Sequence, residues 1–202
     1  NIDSYCRTIW IAAGLGGGSG NAATTLLGLN ELFDRPLSVK KLDSLAASLG
    51  SDVNFFLQNK PALATGRGEK VQSLDEFTAL RGTAFLLIHP GFGISTAWAY
   101  QNLARFPTAL NGTPGRAAKL ASLLARDDLA AASREFYNSL EAPALDKYPV
   151  LALYQEFLRE HGAAVALMSG SGSTTFVITR GVAAAETLRE KLLAKFGRAN
   201  WT

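Results

Sequence analysis

The chain has 202 residues, of which 48% are hydrophobic and 18% charged, which suffices for one sizeable core or two small ones and excludes disordered and fibrous classes. Its most apolar stretch, residues 83–89, has the length of a strand, well short of a membrane span. Twenty Lys and Arg against seventeen Asp and Glu leave a charge of +3, scattered singly, which does not favour a nucleic acid as partner, and the single Cys6 allows neither an internal disulfide nor a thiolate cluster.

Ile9, Trp10 and Ile11 read as the end of a strand, after which Gly14, Gly16, Gly17, Gly18 and Gly20 break regular structure. From Ser19 onward Ala22, Ala23, Leu26, Leu27, Leu29 and Leu32 recur at three- and four-residue spacings, which predicts a helix over 19–33 with one buried face. Pro36 ends it, and Ser38 is placed to cap a second helix that carries Leu42, Leu45, Ala46 and Leu49 and closes at Gly50. Ser51 and Asp52 start a further helical turn through Phe55 and Phe56. Residues 61–66 and 71–74 have strand length around Gly66-Arg67-Gly68-Glu69, which predicts a hairpin or small sheet. The clearest strand is 83–89, between Gly82 and Pro90-Gly91, and a domain boundary is expected just before it, giving domains 1–82 and 83–202. Helices follow over 95–105, with Ser95 or Thr96 available as its cap, and over 115–126, 128–135 and 150–160. Strands over 164–168 and 174–179, joined by Ser169-Gly170-Ser171-Gly172-Ser173, and a helix over 182–196 complete an α+β pattern of helices on an antiparallel sheet.

The strongest chemical signal is Ala12-Ala13-Gly14-Leu15-Gly16-Gly17-Gly18-Ser19-Gly20-Asn21-Ala22-Ala23, which opens onto a helix. Glycines let backbone approach an anion, and a helix N-terminus presents unbonded N–H groups and the positive end of its dipole, so phosphate is the natural ligand. The run is not a Walker loop, since no Gly-Lys-Ser/Thr follows, nor a dinucleotide fingerprint, since Asn21 stands at the third glycine position. On residues alone it can also be a plain glycine-rich connection. Asp52 reads equally as a general base or as an N-cap. The Arg67 and Glu69 turn reads as a solvated pair, Tyr100 as core or ligand platform, the 169–173 turn as an ordinary hairpin connection, and His89 as structural.

Together these motifs resemble the GHMP kinase superfamily, and the likeness runs along the whole chain. The resemblance implies a two-lobed α+β GHMP kinase fold, with a partial ribosomal-protein-S5-like, ATP-binding N-terminal lobe over 1–82 and a ferredoxin-like C-terminal lobe over 83–202. It implies that Trp10, Ile11, Ala12, Ala13, Gly14, Leu15, Gly16, Gly17, Gly18, Ser19 and Gly20 wrap the ATP phosphates, with Ser19 close to phosphate and Mg2+. Asp52, within Leu49-Gly50-Ser51-Asp52-Val53-Asn54-Phe55-Phe56, would accept the proton of the substrate hydroxyl as it attacks the γ-phosphate. Ser169, Gly170, Ser171 and Gly172 would form the turn that closes the cleft over the transferring group. Tyr100 matches a position where an aromatic ring packs on cytosine, and Asn138-Ser139-Leu140-Glu141 and Tyr148-Pro149 match as packing and helix-entry residues. No side chain is assigned as a metal ligand.

The glycine-rich rather than serine-rich loop points, within the family, to ATP-dependent phosphorylation of the 2-hydroxyl of a cytidine diphosphate methylerythritol in non-mevalonate isoprenoid precursor synthesis. Another GHMP small-molecule kinase and a non-catalytic nucleotide-binding homologue stay open as alternatives. The implied setting is cytoplasmic and bacterial, with a plastid also open, and without nucleic acid or membrane as partner. The chain departs from the family where Trp10, Asn54 and Ser173 replace prolines, losing their pre-set φ, and where Gly20 replaces a second serine.

The family also carries an upstream Ala-Lys-x-Asn strand whose lysine partners the aspartate, together with cytidine-binding groups. These 202 residues contain no such segment. The expectation is that Asn1 is not the natural start, that the chain is roughly the last two thirds of a kinase, and that residues 199–202 begin a further strand. The isolated chain, given MgATP and substrate, is then expected to show no turnover, and supplying the upstream segment to restore it. Robust turnover from the isolated chain would overturn the expectation.

Overall fold

A computed structural model describes residues 12–110 and 113–197. The expectations for Cys6, for the strand end with Trp10 and Ile11, and for a strand from residue 199 lie outside the described residues. The rest divides into two compact units, residues 16–76 and residues 12–15 with 77–197.

The first unit begins with α1 (Gly17–Leu32) and α2 (Val39–Leu49), followed by a 3-10 helix at Asn54–Leu57. An antiparallel hairpin of β1 (Ala62–Thr65) and β2 (Lys70–Ser73) pairs Ala62 with Ser73 and Thr65 with Lys70. Its core is small: Ala23, Ala46 and Val53 are buried, with Ala22, Leu26, Phe56 and Leu57 packed around them. The expected single buried face of α1 is therefore corrected. Leu27, Leu29 and Leu32 are exposed, Leu32 to 73%, and so is Leu49 of α2. A helix of sixteen residues is about 24 Å long, and the packed cluster reaches Leu26 without covering its last turns. Ser38 occupies the N-cap position of α2, but its side chain makes no cap bond. Its carbonyl instead accepts the N–H groups of Lys41 and Leu42.

The second unit is built on an antiparallel sheet in the order β3-β5-β4, formed by β3 (Ala84–Ile88), β4 (Val165–Met168) and β5 (Thr175–Thr179). Ile88 lies opposite Thr175, and Thr175 in turn opposite Met168. In β3 the alternation expected of a half-covered strand appears, with Leu86 and Ile88 buried and Phe85 exposed. Central β5 is buried on both faces at Val177 and Ile178. The unit also holds helices α3 (Thr96–Leu103), α4 (Pro107–Leu110), α5 (Arg116–Ala125), α6 (Leu129–Ser133), α7 (Glu141–Lys147), α8 (Pro149–Glu160) and α9 (Val182–Phe196), of which α8 and α9 pack on the sheet. Leu86, Ile88, Leu158, Val177, Leu188 and Leu192 make one apolar cluster, and Ile94, Ala99, Leu103, Leu140, Leu151 and Met168 a second.

Helix α9 has its expected bounds, and Ser95 caps α3 by accepting the N–H of Trp98. Helices α4 and α7 were not foreseen. Pro143 falls within the first turn of α7, where a proline's missing N–H breaks no intrahelical bond. Among the described residues no helix is long and apolar enough to cross a membrane.

His89, at the end of β3, is 3% exposed, and its Nδ1 accepts the N–H of Gly91 at 3.1 Å. Burial holds its imidazole below the usual value near 6.5. The native state therefore resists a proton that the unfolded chain takes up, so stability falls as pH drops through about 6.5 toward the native pKa. In urea melts between pH 7.5 and 5, His89→Asn is expected to flatten this fall, since the amide oxygen replaces the Nδ1 acceptor without titrating. An unchanged slope would remove His89 as its source.

Candidate functional site

In the first unit the site is built around the start of α1. Gly16, in the left-handed region at φ 67°, is its N-cap residue, and Gly20 N–H donates to the Gly16 carbonyl at 2.8 Å. The N–H groups of Gly17, Gly18 and Ser19 precede that bond and have no acceptor within the helix. The first turn carries no acidic residue, and a Cβ on Gly18 would meet nothing within 4 Å. This is an open cradle of backbone donors at the positive end of a helix of four turns, suited to phosphate oxygens.

The ring of Phe56 sets where the cradle lies. A Cβ on Gly16 would come within 2.7 Å of Phe56 Cζ, and one on Gly20 within 3.6 Å of its Cδ1. Phe56 belongs to the 3-10 helix that follows Asp52, so the loop glycines and the segment carrying the candidate base meet inside one unit. Sequence reading had placed Phe56 only as part of a helical turn. No spacing rule marks an aromatic as the partner of a glycine.

Asp52 is exposed in the turn before that 3-10 helix, and its Oδ1 accepts the Ser51 hydroxyl at 3.2 Å. It does not act as an N-cap: Val53 holds the cap position, and no side chain caps the helix. The hairpin turn comes up behind it. A Cβ on Gly68, at φ 120°, would stand 3.0 Å from the Ser51 carbonyl oxygen and 3.1 Å from Asp52 Oδ1, so glycine is required for this approach. Glu69 turns its carboxylate onto its own turn, where it accepts the N–H of Arg67 at 2.7 Å. Hydrogen bonds from the backbone of Glu69 and Arg67 hold that carboxyl below its usual range. Asn54, at a family proline position, is buried and donates to the Asp43 carbonyl. A separate pocket of about 440 Å³ in this unit, lined by Leu27, Leu42, Asn54, Leu57 and Val71 among others, includes none of the expected site residues.

In the second unit residues 12–15 are held by backbone and turn. Ala12 accepts the N–H of Ile94 at 3.2 Å, Ala13 that of Thr174 at 3.1 Å, and Gly14 the hydroxyl of Ser169 at 2.7 Å. Gly14 is left-handed at φ 76°, and a Cβ there would lie 2.0 Å from the Ser169 carbonyl oxygen. The turn closes on itself through Ser169 N–H to Thr174 and Gly172 N–H to Ser169. Ser171 and Thr96 hydroxyls are 2.8 Å apart, and the Ser173 hydroxyl donates to the Phe92 carbonyl. Ala12, Ala13 and Gly14 are thus brought to Ser169, Gly170, Ser171 and Gly172, while Leu15 is exposed. Tyr100 is 62% exposed on α3, whose Ala99 and Leu103 are buried in its place, so its ring is not a core residue. Trp10 and Ile11 lie outside the described residues. Among the described residues no group of three or more His, Cys, Asp or Glu is placed to hold a metal ion.

The glycines of the loop differ in what a methyl group would do. Gly14→Ala places Cβ inside the Ser169 carbonyl and adds the left-handed penalty of about 1–2 kcal/mol, so melting is expected several degrees below wild type. Gly18→Ala meets open space in a helix and is expected to leave melting unchanged or raise it, by up to about 1 kcal/mol. Equal melting temperatures for the two variants would contradict the geometry.

Comparison with known proteins agrees with this architecture. Residues 6–60 match the GHMP kinases N terminal domain, and residues 109–199 match the GHMP kinases C terminal family. The 4-diphosphocytidyl-2-C-methyl-D-erythritol kinase of Synechococcus sp. (strain JA-3-3Ab) is 42% identical over 196 residues, covering 94% of this chain and 62% of that protein. A crystal structure of 4-(cytidine 5'-diphospho)-2C-methyl-D-erythritol kinase, 33% identical, superposes with a TM-score of 0.75 over 96% of this chain and 66% of that one. The homoserine kinase of Cytophaga hutchinsonii, at 18% identity and a TM-score of 0.70, shares the fold. The chain spans less than two thirds of the length of these relatives. With both its terminal regions matched and its fold shared across these kinases, the chain belongs to the GHMP kinase family.

Proposed function

We propose that this chain serves the transfer of the ATP γ-phosphoryl group to the 2-hydroxyl of 4-diphosphocytidyl-2-C-methyl-D-erythritol. The observation that carries this reading is the seating of Phe56 against Gly16 and Gly20, which holds the segment beginning at Asp52 at the phosphate-suited end of α1. Relatives 36% to 42% identical that bear this kinase's name supply the substrate class.

In the proposed reaction the N–H groups of Gly17, Gly18 and Ser19 donate hydrogen bonds to phosphate oxygens, and the Ser19 hydroxyl would be the side chain available to phosphate and Mg2+. ATP supplies the transferred group, and Mg2+, when bound, would offset part of its charge. Gly18, where a Cβ would meet nothing within 4 Å, leaves the cradle open to phosphate. Asp52 takes the proton of the 2-hydroxyl as that oxygen forms its bond to the γ-phosphorus, while the bond from phosphorus to the bridging oxygen breaks and its electron pair leaves with ADP. No covalent enzyme intermediate forms. Phosphoryl transfer asks a protein chiefly for positioning and charge stabilisation, so a cradle and one base are an adequate core. The exposed ring of Tyr100 offers a face for the substrate's cytosine.

The test is Asp52→Asn in protein that turns over. Phosphorylation of the cytidine substrate is expected to fall by roughly a hundredfold or more, with the ATP dissociation constant within about twofold of wild type. Retained turnover would overturn Asp52 as base. Efficient phosphorylation of an amino alcohol with none of the cytidine compound would overturn the substrate.

A further inference from the structure

Behind the glycine-serine turn of the second unit, two polar side chains grip its backbone. Asn138 donates through Nδ2 to the carbonyls of Met168 at 2.8 Å and Gly170 at 2.7 Å, and its Oδ1 accepts the N–H of Leu140 at 3.0 Å. Glu141, one helical turn on, accepts the N–H of Met168 at 2.7 Å and the Gln155 amide at 2.6 Å through the same Oε1. Met168, the last residue of β4, is therefore held at both its backbone groups. Gln155, 1% exposed, is locked in turn by Arg159, which also donates to the Ala166 carbonyl.

This arrangement is costly to build. Burial pushes the Glu141 carboxyl above its usual range, against the opposing pull of its hydrogen bonds from Met168 and Gln155. A half-buried polar network anchored on a buried Gln155 favours one geometry, because displacing a member shielded from water leaves a polar group unpaired. The geometry it fixes is that of residues 168–170. Ser169 donates its hydroxyl to the Gly14 carbonyl, and a Cβ on Gly170 would stand 3.3 Å from that same oxygen. A shift of the turn is thus transmitted directly to Gly14.

We propose that Asn138 is a positioning residue for the glycine loop: with Glu141 it fixes the Ser169–Gly172 turn, and the turn fixes Gly14 in the conformation that binds nucleotide. This rests on the loop being the ATP phosphate site. Asn138 touches no expected substrate and acts only through the turn.

Asn138→Asp keeps the acceptor for Leu140 but turns a carboxylate oxygen onto two carbonyls. Three measurements on the 202-residue chain test it: amide hydrogen exchange at Gly172, equilibrium titration with ATP, and thermal melting, with Leu192→Ala in the other apolar cluster as comparator. In Asn138→Asp, Gly172 exchange is expected at least tenfold faster with Val177 of β5 unchanged, and the ATP dissociation constant at least fivefold higher. Leu192→Ala is expected to melt at least as low while its ATP dissociation constant stays within about twofold of wild type. Unchanged Gly172 exchange, or an ATP affinity no weaker than that of Leu192→Ala, would overturn the positioning role. If Asn138→Asp does not fold, Asn138→Ser, with one acceptor and at most one donor, is read by the same criteria. Wild-type chain that fails to bind ATP would instead sink the reading of the loop itself, whatever Gly172 exchange shows.

Discussion

The carbonyl oxygen of Ser169 stands where a side chain on Gly14 would begin, 2.0 Å from an ideal Cβ. That exclusion makes residues 12–15 part of the second unit although Gly16, the next residue, starts the first. Hydrogen bonding alone would hold so short a segment weakly. Three such bonds contribute about 0.5–1.5 kcal/mol each, while ordering four residues of backbone costs roughly 1–2 kcal/mol per residue. Burial of Ala13, which is 1% exposed, adds to these bonds, and the close backbone approach at Gly14 is one that no other residue permits. A loop held this way has its shape before any ligand arrives.

The first unit solves the same problem with a ring. Phe56 fills the space that a side chain on Gly16 would take and lies at contact distance from Gly20, and its neighbours Val53 and Leu57 belong to the same small core. The loop glycines therefore have two physical roles. They leave backbone N–H groups open at the start of α1, and they admit bulky protein groups, a carbonyl turn at Gly14 and an aromatic at Gly16. Part of the glycine content of the chain is thus a packing feature.

Much of this was legible in sequence because it depends on local rules. Helix α9, the β1-β2 hairpin and the strands around Ser169 follow from periodicity and from Gly, Pro and Ser punctuation. The failures share a cause. Periodicity shows which residues share a helix face but not how far the covering element extends, so Leu29 and Leu32 read as buried and are exposed. Asn138 followed three residues later by Glu141 is the local signature of a helix start, and Asn138 does bond the N–H of Leu140. Only the fold shows that Glu141 reaches instead to Met168, whose place beside it is set by the pairing of β4 with β5.

Asp52 shows where structure removes one of two readings that sequence leaves equal. As an N-cap it would spend acceptor capacity on the N–H groups of the helix that follows. The helix begins two residues later, with Val53 at its cap position, and the Asp52 carboxylate receives the Ser51 hydroxyl from its own turn. A carboxylate has about four lone-pair sites, so one such bond leaves room to accept a further proton donor. Gly68 lies so close behind the turn that a Cβ there would meet the Ser51 carbonyl oxygen at 3.0 Å. A side chain so placed is exposed in front and backed by a glycine position that admits no substituent, whereas a capping residue would be turned inward onto its own helix.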